Sequence, residues 1–158
     1  MKIRRFLLLP ALFAFTLGAA APDPRIQALT HAVSATDLRA IDTRLVAFGT
    51  RNAFSEQLDS KTRGVIAARD WIQSQFEEAA KSAGGRMTVT YDTYLQPKTD
   101  RTPRAVTISS VIAVLKGDDP DSRTYVMSSH YDSRNSDGND PKLDAPGADD
   151  NGSGTSAV

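Results

Sequence analysis

The sequence contains no cysteine. That absence excludes disulfide scaffolds, thiol nucleophiles and cysteine-based zinc fingers, and it leaves His, Asp and Glu as the strong metal ligands the chain can offer. Histidine is scarce as well, with His31 and His130 the two in 158 residues. Charge of one sign is lacking, because 19 Lys and Arg are matched by 19 Asp and Glu. Nucleic-acid binders carry a clustered basic excess on one face, so a nucleic-acid partner is disfavoured. Long apolar runs are lacking too. One stretch, Phe6 to Leu17, is continuous enough to notice, and it falls short of the ~20 apolar residues that a bilayer core demands of a helix. What remains, with 40% hydrophobic residues, is the composition of one ordinary soluble domain.

The N-terminal run has flanks that explain it. Lys2, Arg4 and Arg5 precede it, and Gly18-Ala19-Ala20-Ala21 follows with the small residues a signal peptidase accepts. The order predicts a secretory signal peptide over residues 1–20, cut after Ala20 or Ala21. The product is then expected to be secreted or periplasmic, without a stable membrane anchor, and residues 21–158 carry the fold. Without Lys2, Arg4 and Arg5 the chain holds 16 basic against 19 acidic residues, so the mature protein is mildly acidic.

Helical patterns come first and strand patterns afterwards. Pro24 suits a first helical position, with Ile26, Leu29 and Val33 following on one face. A second helix starts with Ser34 or Thr36 as N-cap, turns Leu38, Ile41, Leu45 and Phe48 inward, and ends at Gly49. Val65, Ala68, Ile72, Phe76 and Ala79 set a third helix that Gly84-Gly85 stops. Trp71 and Phe76 read as core side chains within it. Met87, Val89 and Tyr91 alternate with Thr88, Thr90 and Asp92 as a half-buried strand does. After a turn with Pro97 and Pro103, Val106 to Leu115 becomes continuously apolar, which predicts a strand covered on both faces. A third strand is expected over Thr124–Ser129, delivering His130 at its C-terminal end. The fold class is therefore α/β, a mixed β-sheet flanked by helices.

Beyond His130 the composition changes. Asp stands at 132, 137, 140, 144, 149 and 150. A solvated acidic loop is one reading. The other is a site, because ligand sites in α/β sheets gather beyond the carboxyl ends of the strands. One residue separates His130 from Asp132, a spacing at which the carboxylate reaches back to one imidazole nitrogen and leaves the other free for a metal. Asp149-Asp150-Asn151-Gly152 adds carboxylates beside a flexible turn. Two decoys belong here. Ser133-x-Asn135-x-Asp137-Gly138 with Asp144 imitates an EF-hand loop, but Ser replaces the first Asp and no helical pattern leads into it. Asn151-Gly152-Ser153 fits a glycosylation sequon too short to carry weight. His31 stands in the first helix without a carboxylate motif and reads as a surface or packing residue.

The strings Ser129-His130-Tyr131-Asp132-Ser133 and Ala145-Pro146-Gly147-Ala148-Asp149-Asp150-Asn151-Gly152-Ser153-Gly154 resemble the M28 family of co-catalytic zinc metallopeptidases, which includes secreted bacterial aminopeptidases. Phe48-Gly49-Thr50-Arg51 and Val111 to Gly117 add weaker likeness, and Ser110 stands where many members carry Asn. The resemblance implies a zinc-aminopeptidase-like fold for residues 21–158 and two Zn2+ ions per complete active site. His130 is implied as a ligand of one zinc, Asp150 as the carboxylate bridging both, and Asp132 as the catalytic-site carboxylate that orients His130. Asp149 matches no ligand and is expected to brace the loop. The peptide after the bridging Asp is often cis in this family, and the same is expected of Asp150–Asn151.

The family's general-base Glu, its further acidic ligands and its second His lie C-terminal to the Asp-Asp motif. The chain is accordingly read as an N-terminal part truncated after the third strand, inactive and poorly folding alone. The implied function is hydrolysis of N-terminal bonds in peptide or protein substrates by a metal-activated water. The same resemblance embraces carboxypeptidases and glutaminyl cyclases, and a receptor-like or binding protein that has lost its metals is the alternative of a different class.

Overall fold

A computed structural model describes residues 21–119, 121 and 123–158. The expected signal peptide, residues 1–20, lies outside them. The described chain divides into two compact units, one ending at Val33 and one of residues 34–158, and no described helix is long and apolar enough to cross a membrane.

In the first unit, α1 spans Pro24–Ala32. Asp23 caps it, accepting from Arg25 N at 2.8 Å, and Pro24 occupies a position where a missing N–H costs nothing. Ile26 and Leu29 lie on it as expected, but both are exposed, and Val33 is the C-cap rather than a helical residue. His31 is an exposed residue of its last turn.

The second unit opens with Ser34, whose Oγ accepts from Asp37 N at 3.2 Å and starts α2, Ala35–Val46. Leu38 and Ile41 are half-buried, while Leu45 and Phe48 are fully enclosed. A 3₁₀ turn at Ala53–Gln57 follows, capped by Asn52 Oδ1 on Phe54 N at 2.9 Å. Ser55 Oγ then accepts from Val65 N at 2.8 Å, where α3 begins, and α3 runs Val65–Lys81. Phe48 packs on Ala67 and Ala68 of α3, with Trp71 and Tyr131 against the same cluster. The Arg44 guanidinium lies 4.5 Å over the Phe48 ring, so the one large aromatic at the centre is covered by a cation as well as by apolar carbon.

Strands β1, Met87–Gln96, and β2, Val106–Leu115, pair antiparallel from Met87↔Leu115 to Gln96↔Val106. Helix α3 covers part of the hairpin through Arg69, which lies 4.4 Å over the Tyr91 ring, and Asp70, which accepts from Tyr91 Oη at 3.0 Å. Burial and the bond to Asp70 push the Tyr91 phenol up. Arg104 ties the strand crossover to the 3₁₀ turn, donating to Glu56 at 2.6 Å and to Phe54 O at 2.8 Å.

The architecture is α/β, with two departures from expectation. Strand β2 is not covered on both faces: Ile112, Val114 and Leu115 are exposed. The third strand expected at Thr124–Ser129 does not form, because the sheet of the described residues has two strands. Apolar patterning reports what a segment can bury, whereas a strand exists only where a neighbour completes its backbone hydrogen bonds. Among the described residues, 124–129 have no such neighbour, and Tyr125, Val126 and Met127 stand exposed.

Candidate metal centre

Three segments meet at the site. The first follows α2, the second is His130–Ser133, and the third is the turn from Ala145 into α4, Ser153–Ser156. Residues 49–51 meet the third segment as a strand does: Ala145 N donates to Gly49 O at 2.7 Å, and Thr50 bridges Ala145 in parallel. They also meet the second, with Ser133 N donating to Arg51 O at 3.1 Å and Arg51 N to Ser133 Oγ at 3.0 Å. Ser133 Oγ in turn donates to Ala145 O at 2.5 Å. This buried hydroxyl, part of the quoted motif but given no role in the sequence reading, therefore links all three.

The structure brings His130 and Asp150 together. His130 Nδ1 is 3.0 Å from Asp132 Oδ1, and His130 Nε2 is 3.1 Å from Asp150 Oδ1. Both ring nitrogens thus face carboxylate oxygens. Neutral imidazole carries one N–H, so it can donate to one of the two carboxylates and must turn a lone pair on the other. With the proton on Nδ1 toward Asp132, the Nε2 lone pair and the Asp150 carboxylate converge, and a cation is what two converging lone-pair donors accommodate. The donor set of one imidazole nitrogen and one carboxylate oxygen suits zinc. The His130 and Asp150 side chains are 54% and 89% exposed, so the site opens to its surroundings. Two ligating residues do not make a complete site. Among the described residues no group of three or more His, Asp or Glu is arranged to hold a metal.

The turn bearing Asp150 is irregular. Gly147 has φ +48°, and a Cβ there would lie 2.6 Å from both Asp150 O and Ser133 Cβ; glycine is required by conformation and by space. Gly152 N closes the turn onto Gly147 O at 2.9 Å. The Asp150–Asn151 peptide is cis, as the resemblance implied. Asp149 joins the turn through its carbonyl, which accepts from Ser153 Oγ at 3.1 Å. Behind His130, Thr155 Oγ1 donates to His130 O at 3.0 Å, and Asn151 Nδ2 to Ser129 Oγ at 2.9 Å. Tyr131 points the other way. Its hydroxyl donates to Ser109 O at 2.6 Å, and burial pushes its phenol up to about 12.

Of the aspartates between the two motifs, Asp144 accepts from Arg63 Nη2 at 2.7 Å, while Asp137 and Asp140 are used locally. Asp137 Oδ1 accepts from Asn139 N at 3.0 Å, and Asp140 Oδ1 from Lys142 N and Leu143 N at 2.6 and 3.0 Å. Those backbone donors hold the Asp140 carboxyl below its usual range. The EF-hand likeness is turn chemistry.

Sequence reasoning missed the role of Arg51. It is the largest fully buried side chain described. Its Nε donates to Tyr131 O at 2.6 Å, Nη1 to Leu45 O and Pro146 O at 2.8 Å each, and Nη2 to Gly147 O at 2.9 Å. Burial lowers its pKa against the fields of Asp42 and Asp132. A charged residue reads from sequence as surface, and the available signal was its place in the Phe48–Arg51 string.

This arrangement sets an imidazole between two carboxylates at the edge of an α/β scaffold. Residues 110–158 match the model of peptidase family M28. The chain's relatives include the "Probable zinc metalloprotease" of Leptosphaeria maculans, 47% identical over 135 residues, or 85% of this chain and 31% of that protein. A protein of the same name from Pyricularia oryzae is 47% identical over 138 residues, 87% of this chain and 27% of its own length. Another, from Pyrenophora teres f. teres, is 46% identical over 134 residues, 85% and 28%. The chain thus spans about 30% of the length of these relatives. No solved structure matches.

Proposed function

We propose that this chain supplies the first ligands of an exported zinc exopeptidase, an aminopeptidase with two zinc ions. The observation that carries the reading is the Nε2–Asp150 contact at 3.1 Å, with Nδ1 held by Asp132 at 3.0 Å. Asp132 retains the proton on Nδ1, fixes the tautomer and aims the Nε2 lone pair outward. Asp150 offers two oxygens from a turn that closes behind it, which suits a carboxylate shared by two cations. Zinc bound there would polarise a scissile carbonyl and lower the pKa of an attacking water. The high exposure of Asp150 leaves room for a peptide to approach. The relatives' names, the match to a peptidase family and the signal-peptide pattern of residues 1–20 support the same reading.

Metal content of the whole protein tests it. Asp150→Asn should lose zinc and turnover, Asp149→Asn should retain about two zinc ions, and Asp132→Asn should weaken binding by about 10 to 100-fold, as loss of a ligand's orienting partner does. Equal zinc loss at 149 and 150 would show that the wrong aspartate has been assigned.

A further inference from the structure

We propose that Arg51 is a positioning residue for the metal centre, a buried guanidinium that sets the spacing between the segment carrying His130 and the turn carrying Asp150, with Asp42 as its counter-charge. The proposal rests on the metal reading above and extends it to a residue that touches no metal.

Full burial of an arginine is rare and needs compensation. Here it comes from four backbone carbonyls on three different stretches of chain. Tyr131, whose carbonyl takes the Nε proton, sits between His130 and Asp132. Pro146 and Gly147, whose carbonyls take protons from Nη1 and Nη2, begin the turn that ends at Asp150 and Gly152. Leu45 O anchors the fork to the end of α2. A planar guanidinium fixes the angles among its N–H vectors, so carbonyls bound to one fork cannot slide past one another. Lysine presents its donors from one point and cannot span three stretches.

Asp42 completes the assembly. Its Oδ1 is buried without a hydrogen-bond partner, an arrangement that costs free energy unless a charge nearby offsets it. Asp42 Oδ1 and Arg51 Nη2 border the same space, 2.3 and 3.6 Å from where a Cβ on Gly152 would lie. The carboxylate therefore faces the closing residue of the Asp150 turn from the side on which Arg51 holds its first residues.

The test measures zinc affinity of the whole protein by chelator competition, together with the visible spectrum of the cobalt(II)-substituted form, which reports ligand geometry. Arg51→Met should weaken zinc by about 10 to 100-fold and alter the cobalt spectrum, and Arg51→Lys should not restore either. Ile72→Ala, at a buried α3 residue with no hydrogen bond to these segments, serves as the stability control. It should lower the unfolding midpoint yet leave zinc affinity and the cobalt spectrum as in the parent. Should Arg51→Met fail to fold, Asp42→Asn keeps the fork and removes its counter-charge, and zinc should then bind about 10-fold more weakly. Parent-like affinity in a folded Arg51→Met or in Asp42→Asn overturns the proposal, as does an equal loss in Ile72→Ala. His130→Ala separates the two claims: zinc retained there overturns the metal reading itself, whereas zinc lost there but kept in the Arg51 variants overturns only the positioning role.

Discussion

Two glycines allow a contact term to be separated from a conformational one. Gly147 and Gly84 share left-handed backbones, with φ of +48° and +59°. A side chain at either residue incurs the left-handed penalty of about 1 to 2 kcal/mol, reduced by about 0.4 to 1 kcal/mol because alanine also restricts the unfolded chain. At Gly84 nothing lies within 4 Å of the added Cβ. Gly84→Ala should therefore cost no more than about 1.6 kcal/mol. At Gly147 the Cβ meets Asp150 O and Ser133 Cβ at 2.6 Å and Arg51 Nη2 at 3.1 Å. Two of these are main-chain or Cβ atoms that cannot rotate away, so the overpacking cost of about 1 to 3 kcal/mol applies in addition. Urea unfolding of both variants, followed by far-ultraviolet circular dichroism at constant m, reads the difference directly. Gly147→Ala should be the less stable by about 1 to 3 kcal/mol, and it should also weaken zinc, because the atom displaced is the carbonyl of Asp150. Equal destabilisation of the two variants would refute the claim that the turn is tightly packed around Gly147.

Two other expectations concern pH and export. The Tyr91 phenol is raised by burial and by Asp70, so the folded state keeps a proton that the unfolded chain releases near pH 10; the stabilisation is intact below pH 10 and is lost as pH rises through the higher folded value. Tyr91→Phe should flatten the fall in urea midpoint between pH 9 and 11, and an unchanged slope would show that Tyr91 does not contribute. For export, N-terminal sequencing of protein secreted from a bacterial host should begin at Ala21 or Pro22, and an intact Met1 on the product would refute the signal-peptide reading.

Local signals were legible in the sequence. Ser34 caps α2 and β2 occupies Val106–Leu115 as the apolar pattern had it, whereas α2 ends at Val46, one turn short of the expected Gly49. These depend on capping, turn conformation and periodicity, which neighbours in sequence decide. The contact of His130 with Asp132 follows from their spacing, whereas the resemblance, not the spacing, singled out Asp150, whose carboxylate lies 3.1 Å from His130 Nε2. What escaped depends on distant partners. Residues 124–129 have strand composition without a strand beside them. Arg51 has the composition of a surface residue but bonds to carbonyls 80 and more positions away, and no pattern local to Arg51 announces them.

The acceptors gripped by Arg51 are all main-chain oxygens, and a main-chain oxygen is the one group every amino acid shares. Exchanging the side chains at Leu45, Tyr131 or Pro146 alters packing but deletes no acceptor, so the scaffold of the site is insulated from much of the sequence that builds it. The vulnerable points are few: the guanidinium, its Asp42 counter-charge, the Ser133 hydroxyl and the glycine at 147. Substitutions that retune the surroundings of the site can therefore accumulate while its framework keeps its dimensions, which gives this part of the chain a wide neutral range in which a substrate preference could drift.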